Sequence, residues 1–121
     1  MEQTPKQLRK MIRHWAAIAH DRELGKALRE LRAEFDRWES GEIDPIELSD
    51  RIHKFHQGPA RDLWDRYTTN PLDPQVAYAV IRGTLSNDEI PSELLQYLAR
   101  WINFYEHLQR ESGEDAKLNP R

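Results

Sequence analysis

Cysteine is absent from the 121-residue chain, and that excludes disulfides, thiolate chemistry and cysteine-ligated zinc or iron–sulfur sites. Glycine is sparse, at five residues, and builds no phosphate-cradling loop. No G-x-S-x-G, Walker lysine or Ser-x-x-Lys pattern occurs either. No apolar run approaches the ~20 residues that span a bilayer, and the opening MEQTPKQLRK lacks the apolar stretch of a secretory signal. A cytoplasmic protein with no membrane span is expected. A large excess of one charge is missing too. Residues 1–40 hold nine Lys/Arg against seven Asp/Glu, and residues 41–121 hold nine against fourteen, for a net charge of −3. Neither half has the basic balance of a nucleic-acid binder, so no nucleic-acid partner is expected.

What is present points to helices. Thr4-Pro5, Asp44-Pro45, Gly58-Pro59, Asp73-Pro74 and Ile90-Pro91 each put proline where a helix can begin, since its missing N–H is unpaired in a first turn anyway. Leu8, Met11, Ile12, Trp15 and Ala19 recur at intervals of three and four, as do Leu24, Leu28, Leu31, Phe35 and Trp38. The two stripes are out of step around Asp21. Either the helix breaks there or one long helix turns a different face to its partners; a continuous helix from Pro5 to Ser40 would be ~54 Å long at 1.5 Å per residue, so a break or kink near His20–Arg22 is expected.

Shorter amphipathic units follow, marked by Leu48, Ile52 and Phe55; by Ala60, Leu63, Trp64 and Tyr67; by Val76, Ala77, Val80 and Ile81; and by Leu94, Leu98, Trp101, Ile102, Tyr105 and Leu108. Glu47 and Arg51, Asp50 and Lys54, and Asp62 and Arg66 place an acid four residues before a base, a spacing that supports helices. The expected fold is all-α: an irregular bundle of five to six helices in one domain, residues 1–111. Its first two helices form a long antiparallel hairpin, and residues 112–121 a flexible C-terminal tail.

Three patterns bear on chemistry. With Asp36 as its first position, DRWESGEIDPIE puts Ser40, Gly41, Asp44 and Glu47 in register with a calcium loop, but Trp38 stands where an oxygen ligand belongs. Helix punctuation accounts for the same residues, with Gly41 ending one helix, Asp44 capping the next and Pro45 opening it. Asp50, His53 and His56 form a polar strip on one side of a helix, with His56 half buried at the core edge. This strip is the candidate metal site for zinc, manganese or iron, completed by Glu106, His107 or His20 if the fold brings one near. His20-Asp21 resembles the His-Asp dyad of metal-dependent phosphohydrolases, yet His14 and His20 lie about 240° apart on a continuous helix and so do not share an ion.

The helix from Pro45, the turn HQGP and the helix from Pro59 outline a helix-turn-helix, but Asp62 and Asp65 offset Arg61 and Arg66 on the segment that would face phosphates. With no complete catalytic constellation, the chain is read as a small non-catalytic helical interaction or regulatory protein that works through an amphipathic-helix surface. Its expected partner is another protein or a second copy, as a homodimer, and no cofactor is expected. The alternative is a divalent-metal-binding protein or metal-dependent hydrolase built on Asp50, His53 and His56.

Overall fold

The computed structural model describes residues 5–68 and 71–118, with side chains as far as residue 112. All the described regular structure is helical: α1 (Pro5–Glu39), α2 (Pro45–Phe55), a π-helical turn (His56–Ala60), α3 (Arg61–Thr68), α4 (Leu72–Ile81) and α5 (Ser92–Leu118). Because α2, the π turn and α3 follow one another without interruption, these elements make four helical runs rather than five or six.

The hairpin expected around His20–Arg22 has no turn on which to fold, since α1 passes through as unbroken helix. The segment AHDREL contains neither glycine nor proline, and nothing local opposes helical backbone there. The out-of-step stripes have another cause. The chain divides into two compact units, one of residues 1–16 with 71–121 and the other of residues 17–70, and the stripe changes close to where α1 passes from one to the other. Each half of the helix follows its own core.

In the first unit, Ile12 and Ala16 of α1 are buried, as are Val76, Ala77, Ala79 and Val80 of α4, Leu85 and Ile90 of the α4–α5 connection, and Leu94 and Leu98 of α5. The helix α4 packs against α5. It ends at Gly83, whose φ of 82° is the left-handed conformation that stops a helix. α5 continues to Leu118, through most of the stretch expected as a tail, and residues 119–121 lie outside the described residues.

The second unit is built by a chain reversal. Glu42 N–H donates to the carbonyl of Arg37 at 2.8 Å and Gly41 N–H to that of Trp38 at 3.0 Å, the paired bonds of a Schellman motif with Gly41 at φ 83°. Asp44 then caps α2, accepting from the Glu47 N–H at 2.8 Å, and Pro45 opens the helix. The DRWESGEIDPIE stretch is thus helix punctuation. A Cβ at Gly41 would meet nothing within 4 Å, so the cost of a side chain there is backbone strain alone. Gly41→Ala is expected to destabilise the chain by about 1 kcal/mol, and Asp44→Ala by a similar amount, as measured by urea denaturation.

After the reversal, residues 45–68 run back along α1. Arg51 meets Glu34 at 2.6 Å, and farther along Arg66 meets Glu23 at 3.4 Å, an antiparallel order. Of the expected four-apart pairs, Asp50–Lys54 forms at 2.9 Å, whereas Arg51 and Arg66 turn to carboxylates of α1. The core of this unit is small: Ala19, Ile43, Leu48, Leu63 and Tyr67 are buried, while Leu28, Phe35, Trp38, Ile46, Ile52 and Trp64 remain substantially exposed.

Candidate functional site

Pro59 shapes a site on the second unit. Proline has no N–H to give the carbonyl four residues back, and its ring crowds that carbonyl, so an ordinary α-helix breaks or kinks there. Here the helix widens instead, with His56–Ala60 forming a π turn and Pro59 inside it. The turn expected at HQGP is therefore absent, and with it the helix-turn-helix outline.

The wide turn changes which side chains share a face. On an α-helix, residues five apart point about 140° away from each other. A π turn closes its hydrogen bond over that same interval, which brings residue i+5 back above residue i. His56 and Arg61 consequently line one cavity of about 560 Å³, together with Gln57, Ala60 and Trp64 from the same helical run and His20 and Leu24 from α1. All seven residues belong to the second unit.

Behind this cavity stands an aromatic and hydrogen-bonded support. The imidazole of His20 stacks on the ring of Tyr67, with centroids 5.4 Å apart and planes 20° from parallel, and meets Trp64 edge-on at 6.4 Å. The Tyr67 hydroxyl donates to Glu23 Oε2 at 2.7 Å, and Arg66 Nη1 lies 3.4 Å from the same oxygen. Glu23 thus fixes Tyr67, and Tyr67 fixes the plane of His20. On the opposite flank, Ala27, Glu30, Leu31, Glu34, Arg51, Lys54, Phe55 and Pro59 border a shallower depression. Its electrostatics are closed, because Glu34 holds both Arg51 and Arg37, the latter at 3.2 Å. Arg37 also meets Glu42 at 2.9 Å, and its pKa is raised above the ordinary guanidinium value chiefly by that hydrogen bond and then by the charge of Glu34.

The candidate metal residues have different surroundings. Asp50 is engaged with Lys54, both on the exposed surface. His53 is exposed and does not line the cavity, while His56, expected half buried, is exposed and faces it alongside His20. Among the described residues no group of three or more His, Asp or Glu side chains is placed to hold a metal ion. His107 pairs with Glu111 at 3.0 Å on α5. His56 still donates its backbone N–H to the carbonyls of Ile52 and His53, so it follows His53 at α-helical spacing and the widening comes after it.

Sequence reasoning did not find Glu23, Gln57, Arg61 or the placement of Trp64. The signal available for them was a proline inside a continuous amphipathic run, which is equally the signature of a helix start.

A second exposed feature lies in the first unit. Tyr97, Phe104 and Leu108 are exposed on one stripe of α5, and the Tyr97 hydroxyl donates to Asp73 Oδ2 at 2.8 Å. That hydrogen bond, followed by partial desolvation, raises the Tyr97 pKa above the ordinary phenolic value. Compared with known proteins, the chain matches no family, no curated protein and no solved structure.

Proposed function

We infer that this chain is a non-catalytic interaction protein and that the amphipathic face of its second unit is the surface it works through, with a second copy as the first partner. The observation that carries this reading is the exposure of large apolar side chains on one stripe of α1. Leu28 is 46% exposed, Phe35 39% and Trp38 38%, and all three share the stripe of Leu24 and Leu31. A soluble surface rarely leaves such groups contiguous unless something covers them.

The intervals of four and three along that stripe are those of a coiled-coil seam. Arg32 and Glu39 stand beside it, one heptad apart on the same flank, exposed and with no partner among the described residues. Laying two copies antiparallel sets Arg32 of one against Glu39 of the other. Laying them parallel sets Glu34 against Glu39, which is repulsive. The antiparallel pairing follows.

Sedimentation velocity over a concentration series tests this. Wild type is expected to sediment as a dimer at the high end, Leu28→Glu as a monomer throughout, and Arg32→Glu with a dissociation constant weakened by about tenfold. The double variant Arg32→Glu/Glu39→Arg restores the pairing and is expected to recover the affinity. A wild type that stays monomeric across the series would contradict the reading.

A further inference from the structure

The cavity beside the π turn has a chemistry that self-association does not use. Its walls are apolar where Leu24, Ala60 and the Trp64 ring form them, and its polar groups are one guanidinium, two imidazoles and a carboxamide. Among the described residues no carboxylate lines it, in a chain whose net charge is −3. The neighbouring arginines of the same helical run, Arg51 and Arg66, are each neutralised by a carboxylate of α1. Arg61 is not: among the described residues the side chains of Arg61, His56 and Gln57 make no hydrogen bond or ion pair.

We propose that this cavity binds a small organic anion with a planar apolar body, an aromatic carboxylate, whose ring lies against Trp64 and whose carboxylate is taken by Arg61 with the imidazole N–H groups of His20 or His56. Three features fit that class. The volume of about 560 Å³ falls within the range of small-molecule pockets, which are apolar clefts with a few convergent polar groups. Arg61 presents a planar fork that matches a carboxylate with two parallel hydrogen bonds. Trp64, 59% exposed, offers a ring face on which no other ring stacks among the described residues.

The support behind the site is built for a planar guest as well. His20 is held parallel to Tyr67, and Tyr67 is held by Glu23, so the imidazole that faces the cavity is oriented before anything enters. Orientation in advance lowers the ordering cost of binding. The π turn supplies the other wall, since it is the wide turn that puts Arg61 on the side of His56. None of this depends on dimer formation.

The test is isothermal titration calorimetry of the full chain with naphthoate, with neutral naphthalenemethanol as the same body lacking charge and acetate as the charge lacking a body. Naphthoate is expected to saturate a single site, and each control to bind about tenfold more weakly or worse. Arg61→Gln, a change at an exposed position, is expected to cost naphthoate about tenfold while leaving naphthalenemethanol unaffected. Trp64→Ala weakens both aromatic probes. Repeating the titration on Leu28→Glu separates this site from self-association, and the affinity there is expected to equal that of wild type. No saturable naphthoate binding, or binding that Arg61→Gln leaves unchanged, would overturn the proposal.

Discussion

Replacing Leu98 with alanine is expected to lower the unfolding free energy by about 3 kcal/mol. Leu98 is fully buried on α5, one helical turn from the equally buried Leu94, on a helix packed against α4 with its buried Val76, Ala77 and Val80. Truncation removes the transfer free energy of the missing carbons and leaves a void that two packed helices close only in part. Leu108→Ala, on the same helix but 42% exposed, is the internal contrast and is expected to cost less than about 0.5 kcal/mol. Guanidinium denaturation followed by far-ultraviolet circular dichroism reads both. A small loss for Leu98→Ala, comparable to that for Leu108→Ala, would mean that α5 does not pack as described.

Glu23→Ala is expected to cost about 2 kcal/mol, because it removes the acceptor to which the buried Tyr67 hydroxyl donates at 2.7 Å and the anion beside Arg66. Glu23→Gln keeps an acceptor oxygen in place and is expected to lose less than half as much. Tyr67→Phe deletes the hydroxyl together with its need for a partner, so it too is milder than Glu23→Ala. A double-mutant cycle between Glu23→Ala and Tyr67→Phe isolates the coupling. Losses that simply add would show that the two side chains stand independently. The same cycle bears on the cavity, because Tyr67 sets the plane of His20.

Much of the helical grammar was legible in residues alone. Asp44-Pro45 and Gly41 act as their chemistry dictates, one capping and opening α2 and the other ending α1 in the left-handed conformation. These are local rules, satisfied within a few residues of chain. What was not legible depends on tertiary choice. The stripe offset near Asp21 reads as a break or as a change of partner, and nothing in AHDREL distinguishes the two, because an unbroken helix is free to serve two cores. Arg51 and Arg66 each had an acid four residues earlier, yet each found a carboxylate on α1 that sequence spacing does not reveal.

Pro59 is the sharpest case. Preceded by glycine, it has the signature of a helix start, yet it lies inside a widened turn of a run that meets α1 on both sides, through Arg51–Glu34 and Arg66–Glu23. That single widening gathers His56, Arg61 and Trp64 around one cavity, while His56 itself keeps its α-helical spacing from His53. The candidate site was therefore readable as a list of residue types and unreadable as a constellation. Its geometry depends on one residue's missing N–H, four positions after the phenylalanine whose carbonyl goes without it.

The absence of cysteine allows the central claim to be measured without background, since a single introduced cysteine carries the only label. Lys26 and Ala33 are both exposed on the side of α1 away from the apolar stripe, so spin labels there leave the seam undisturbed. Pulsed dipolar spectroscopy on Lys26→Cys and, separately, Ala33→Cys reads the distance between copies. An antiparallel seam centred near Phe35 predicts a defined intermolecular distance for each, clearly longer for the Lys26 label than for the Ala33 label. Equal distances at the two positions, or no dipolar signal between copies at either, would contradict the account.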